Sequence, residues 1–226
     1  MTLTVNHYKV FEAIANSTHH ALIAGCTGGG KSTFTEGVIY SILCKNPNDA
    51  QMVLIDPKRV ELSRFKNTIH CAGFASEPAD IEALLNKCLQ LVEYRYKEME
   101  KAEQTKYTGT KLYIIIDELA DVKFTAPKAF ELIERLARIA RAANVQLICA
   151  TQCINAEIIP TRLKINLDLR VAVPVNNASE SRVILDTAGA EYLTVGEAII
   201  RHGRDINKVT FPKVDTKALR DFRKRA

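Results

Sequence analysis

The chain reads as an α/β fold, a mainly parallel sheet with helices on both faces. Three observations predict it. Short apolar runs of strand length recur at 21–24, 51–55, 112–116, 145–150 and 167–175. Helix-period segments lie between them, and the first run opens directly into a glycine-rich loop followed by a helix. The 226 residues suit one sizeable domain. Hydrophobic residues at 47% and charged residues at 25% are ordinary for a globular protein and exclude a disordered chain. No apolar run reaches membrane-spanning length and the N-terminus is polar, unlike a signal peptide. Six cysteines stand at 26, 44, 71, 88, 149 and 153, without a C-x-x-C pair. That spacing points away from zinc and from a disulfide framework, and towards a reducing cytoplasm. The net charge of +5 permits a nucleic-acid partner without requiring one.

The elements follow in order. Residues 1–19 form a lead-in, where Val10, Ala13 and Ile14 predict a helix over 8–15. One domain spans 20–212, and a Lys- and Arg-rich tail, expected as a loosely held helix, spans 213–226. Within the domain, helix 33–43 follows the glycine-rich loop, and Asn46-Pro47-Asn48-Asp49 is a turn. From Ile81, residues Leu84, Leu85, Cys88, Leu89 and Val92 keep helical spacing, and the helix runs to about Lys106 with a solvated later part. A helix over 127–143 precedes the strand at 145–150. Pro160 starts an irregular or helical segment, and 179–186 is a short helix.

Residues 25–32, GCTGGGKS, match G-x-x-x-x-G-K-[ST] at every fixed position. Gly25, Cys26, Thr27, Gly28, Gly29 and Gly30 would turn backbone N–H groups around a phosphate, and the helix from Thr33 would face it with its positive end. Lys31 would reach the β- and γ-phosphates of ATP, and Ser32 would ligate Mg²⁺. The apolar run 113–116 ends in Asp117-Glu118. Asp117 would hold Mg²⁺ through water, and Glu118 would polarise the attacking water. Asp121 reads as a surface or helix-capping group. Gln152 ends the next strand on the edge where ligands bind, as a γ-phosphate sensor or a polar strand cap. Glu131 and Arg135, like Glu134 and Arg138, are spaced for i,i+4 ion pairs. Arg141 lacks such a partner. It is open to two roles: reaching another subunit's nucleotide, or complementing its own helix dipole.

The chain resembles the motor domain of FtsK/SpoIIIE-type DNA translocases, within the wider group of coupling proteins and packaging ATPases. The resemblance covers roughly residues 20 to 203. It rests on His20, the 25–32 loop, Ile55-Asp56-Pro57-Lys58 with Glu61-Leu62, and Ile116-Asp117-Glu118-Leu119-Ala120-Asp121. It continues through Ala140-Arg141-Ala142-Ala143, Ala150-Thr151-Gln152, Asn166 with Arg170, Ser181-Arg182, Ile184-Leu185-Asp186 and Ala188-Gly189-Ala190-Glu191. It implies a RecA-like P-loop ATPase working as a homo-oligomeric, hexameric ring, with ATP between subunits and double-stranded DNA in the pore. Arg141 resembles the family's trans-acting arginine, and Lys164 and Arg182 its pore-side DNA contacts. Arg170 is open between a structural and an interface role. Two positions depart from the family pattern: Cys153 and Ala178 stand where basic residues are expected. With no membrane segment, linker or winged-helix reader in the sequence, the expectation is a minimal motor. It would move or package the DNA of a mobile element or phage with accessory DNA-processing proteins. The rival expectations are a ring ATPase that moves protein and a non-pumping ATP-binding adaptor.

Overall fold

The computed structural model describes residues 9–214 and Phe222. The chain runs α1 (Lys9–Asn16), β1 (Ala21–Ala24), α2 (Lys31–Leu43), β2 (Ala50–Ile55), β3 (Cys71–Ala75) and α3 (Pro78–Lys101). It continues β4 (Lys111–Ile116), α4 (Leu119–Thr125), α5 (Pro127–Ile139), β5 (Val145–Thr151), α6 (Thr161–Lys164) and β6 (Leu169–Ala172). It ends with α7 (Ala178–Leu185), β7 (Glu197–His202) and β8 (Asp205–Thr210). Among the described residues the strands form one sheet, in the order β3-β2-β4-β5-β1-β6-β7-β8. All pairings from β3 to β6 are parallel; β6–β7 and β7–β8 are antiparallel.

The parallel strands are apolar on both sides because both faces are covered. Alternate residues feed separate cores. Leu22, Val53, Ile55, Ile114 and Ile116 face α3, α4 and α5. Ala21, Ile23, Met52, Leu54 and Ile115 face α1 and α2. α1 is therefore part of the core. Its Phe11 lies edge-on to Phe34 of α2, with ring centroids 5.3 Å apart.

Several expectations need correction. β3 and the β7–β8 hairpin add strands at both sheet edges, and α4 adds a helix between β4 and α5. β6 is shorter than 167–175, and α3 ends at Lys101 rather than near 106. The later part of α3 is not wholly solvated. Arg95 is buried and donates to the carbonyls of Ala143, Asn144 and Thr110, at 2.8, 3.2 and 2.7 Å. It ties the helix to the strand-entry turns, which a charge count along the helix does not reveal. α5 ends at Ile139, so Arg141 lies in a turn rather than in the helix. The expected i,i+4 pairs are replaced by ties to other elements: Arg135 to Glu93 at 3.4 Å and Glu134 to Arg162 at 2.7 Å. Apart from Lys213, Val214 and Phe222, the basic tail and its expected helix lie outside the described residues.

Candidate nucleotide site

β1 ends at Ala24, and the loop that follows is pinned from both sides. Cys26 N–H donates to the Pro174 carbonyl at 2.8 Å, and Gly29 N–H closes on the Cys26 carbonyl at 3.0 Å. A Cβ on Gly29 would lie 2.8 Å from the Pro174 oxygen, so no larger residue fits that closure. Gly30 caps α2 in the left-handed region, at φ 98°, and offers no side chain to the first turn. The first N–H groups of α2 are thus left for an anion rather than a capping oxygen.

The charged residues converge at the carboxyl ends of β4 and β5. Lys31, 3% exposed, donates to the Asp117 carboxylate at 3.0 Å and to its carbonyl at 3.1 Å. Asp117 is equally buried, so each charge depends on the other. Glu118 is the N-cap of α4 and accepts from Ala120 N–H at 3.3 Å. It also accepts from the Thr151 hydroxyl and, at 2.9 Å, from Gln152 N–H. Oε1 takes two of these donors and Oε2 one, which leaves Oε2 a lone pair for a further donor. Gln152 Oε1 accepts from Thr27 Oγ1 at 2.8 Å, linking the β5 end to the phosphate loop. The structure therefore brings residues 25–33, Asp117, Glu118 and Gln152 together.

Other residues belong to the same site, and the sequence reading gave them no role. Ser32 Oγ donates to Glu61 Oε1 at 2.8 Å. Asp56 ends β2 as Asp117 ends β4, and its Oδ2 accepts from Leu62 and Ser63 N–H at 2.9 and 3.0 Å. Its Oδ1 is buried without a hydrogen-bond partner among the described residues. The signal was present: an apolar run ending in Asp is the pattern that singled out Asp117. Asp121 is not the helix cap; it pairs with Lys58 at 3.2 Å.

Arg141 lies elsewhere. The turn before β5 is at the opposite edge of the sheet, and the seven residues of β5 separate it from Gln152. At about 3.3 Å per residue that is on the order of 20 Å. Arg141 is not without a partner: its Nη2 is 2.8 Å from His19 Nε2. Lys164 is also engaged, donating to Asp186 at 2.7 Å and to the Val183 carbonyl at 3.1 Å. Arg170 and Arg201 pair with the same Asp186, so Arg170 braces α7 against β6. Burial alone would raise the Asp186 carboxyl, but the hydrogen bonds from Lys164 and Arg170 hold it below its ordinary value. Arg182 is exposed on α7. The six cysteines are free thiols, and burial pushes Cys88 and Cys149 up to about 12.

A glycine-rich loop on a parallel sheet, a buried lysine at the mouth of a helix, and a strand-end Asp-Glu pair define a P-loop ATPase fold. The FtsK/SpoIIIE family model matches residues 4–111. DNA translocase FtsK of Oceanobacillus iheyensis is 36% identical over 200 residues, covering 79% of this chain and 26% of that protein. DNA translocase SpoIIIE of Bacillus subtilis is 35% identical over 200 residues, covering 79% and 25%. The chain belongs to the FtsK/SpoIIIE family. It spans about a quarter of the length of these curated relatives. Among solved structures, the pCW3 conjugation coupling protein TcpA, in its monomer form with ATPgS, superposes with a TM-score of 0.80 at 20% identity. That match covers 89% of this chain and 62% of the other. The cytoplasmic domain of the Thermomonospora curvata Type VII secretion ATPase EccC gives 0.76 at 18% identity, over 92% of this chain and 28% of the other. At those identities the likeness speaks to the fold alone. No helix of the described residues is long and apolar enough to cross a membrane.

Proposed function

We propose that the chain is an ATPase that drives double-stranded DNA through a ring of its own copies, for transfer or packaging of a mobile element or phage genome. One observation carries the ATPase reading: the Lys31–Asp117 pair and the Glu118–Gln152–Thr27 chain meet at one strand edge. The uncapped first turn of α2 suits a phosphate; Ser32 would ligate Mg²⁺ directly and Asp117 would hold it through water. Bound MgATP supplies the phosphoanhydride whose cleavage drives movement. Lys31 holds the phosphates, exchanging part of its contact with Asp117 for them. Glu118 is locked in place by its donors and orients the attacking water through Oε2. Gln152, joined to Thr27, links the state of the phosphate loop to β5.

Arg141, about one strand length away, serves the nucleotide of a neighbouring copy. A hexamer is the expected ring. Lys164 and Arg182 touch DNA phosphates, and Lys164 must then exchange Asp186 for a phosphate oxygen. Contacts to phosphates suit a motor that ignores sequence. The relatives named DNA translocase favour DNA over protein as the cargo. The protein works in the cytoplasm with accessory DNA-processing proteins. ATP turnover measured with and without duplex DNA tests the reading. Stimulation by duplexes of unrelated sequence is expected. Turnover indifferent to DNA points to protein cargo, and binding without turnover to an adaptor; either contradicts the proposal.

A further inference from the structure

The edge of the sheet opposite the nucleotide loops carries side chains that ATP chemistry does not use. His19 precedes β1, Asp168 precedes β6, and His202 ends β7. Ala21 pairs with Leu169 across β1–β6, and Leu169 with His202 across β6–β7. The topology therefore sets the three residues side by side, although His19 and Asp168 are 149 residues apart. One ligand atom from each lies within 4.8 Å of the others. His19 Nδ1 is 2.5 Å from Asp168 Oδ2. The His19 and His202 rings are 4.3 Å apart between centroids, at 72°.

We propose that His19, Asp168 and His202 form a binding site for a divalent transition-metal ion of the zinc type. Two imidazoles and one carboxylate suit zinc, cobalt or nickel; magnesium and calcium prefer all-oxygen sites. Bonds of about 2.1 Å in a tetrahedron set the ligand atoms about 3.4 Å apart. If Nδ1 is the His19 ligand, its 2.5 Å contact with Asp168 Oδ2 must therefore open to that spacing as their hydrogen bond is given up. His202, exposed at the end of its strand, is the residue with room to move. Three protein ligands leave a fourth position for water or for a group from a partner.

The site is coupled to Arg141. A guanidinium only donates, so the lone pair of His19 Nε2 faces Arg141 and the ring proton sits on Nδ1, towards Asp168. If a metal takes Nε2, it removes the acceptor directly. If it takes Nδ1, the ring proton moves to Nε2, and donor then faces donor. In both cases loading the site frees Arg141 from His19.

The test is a titration of the chelator-treated full chain with Co²⁺ and Zn²⁺, without nucleotide. The expected result is one ion per chain at micromolar concentration or below. The Co²⁺ spectrum should lack a thiolate charge-transfer band, and excess Mg²⁺ should not displace the ion. His202→Ala and Asp168→Asn should each weaken binding at least about tenfold. His202 is exposed, so its variant decides the matter even if Asp168→Asn misfolds. Binding unchanged in His202→Ala, a thiolate band, displacement by Mg²⁺, or no saturable binding at micromolar metal would each overturn the site.

Discussion

Lys31 serves two partners with one ammonium: a buried carboxylate in the protein and the phosphates of the proposed ligand. Lys31→Ala therefore does more than weaken ATP binding. It strands Asp117, 3% exposed, without its counter-charge. Removing one member of a buried pair costs on the order of 3 kcal/mol. Urea unfolding without nucleotide should show that loss, and an unchanged midpoint would mean that solvent already compensates Asp117. Glu118→Gln should behave differently. The amide keeps one acceptor oxygen for the cap of α4 but turns an NH₂ towards a donor, at a cost of about 1 kcal/mol. ATP binding should persist while turnover disappears. Filter binding beside a phosphate-release assay separates the two, and normal turnover would refute the role given to Glu118.

Packing of α1 against α2 depends on the absence of one methyl group. A Cβ on Gly37 would meet the Phe11 ring at 2.4 to 2.6 Å. Gly37→Ala gains about 1 kcal/mol of helix propensity but overpacks a fully buried contact, at about 1–3 kcal/mol. The net effect should be destabilising, with increased hydrogen exchange in α1, and a rise in melting temperature would contradict it. The same elements show what the sequence made legible. β1, β2, β4 and β5 are buried on both faces, so their apolar runs stand out. The loop 25–32 and Asp117-Glu118 stand out because their chemistry is local and contiguous. β3, reading Cys-Ala-Gly-Phe-Ala, lies at an edge, is only partly buried and carries a glycine. β8, reading Asp-Ile-Asn-Lys-Val-Thr, is almost wholly exposed, so no apolar run marks it. The Thr27–Gln152 and Ser32–Glu61 contacts join residues 125 and 29 apart, and only the sheet order makes them neighbours. Arg141 read as unpartnered because a search along its own helix cannot find His19, 122 residues away.

At the scale of the molecule, the two edges of the sheet have different characters, with the acidic side chains of Asp117 and Glu118 on one and His19, His20 and Arg141 on the other. Burial, opposed by nearby Asp168, lowers the His20 imidazole to about 4. Its Nδ1 accepts Leu147 N–H at 3.0 Å, so the folded protein keeps it neutral. The unfolded chain protonates it near 6.5, so its contribution is intact above that pH. It is lost progressively as pH falls towards about 4, by on the order of 3 kcal/mol. Unfolding against pH in chelator should show this acid limb. His20→Asn, whose amide oxygen can accept the same N–H, should flatten it; an equally steep limb would place the acid sensitivity elsewhere. The separation of edges also underlies the central claim, that one active site is built from two copies of the chain. Losing a trans-acting arginine costs on the order of 10³ or more in rate. Arg141→Ala should therefore bind ATP normally and turn it over slowly. Mixing it with Glu118→Gln, under conditions where subunits exchange, creates interfaces that pair an intact Glu118 with an intact Arg141. The measurement is ATP turnover across mixing ratios of these two inactive variants. The account predicts activity that peaks at intermediate ratios, and mixtures as inactive as either variant at every ratio would contradict it.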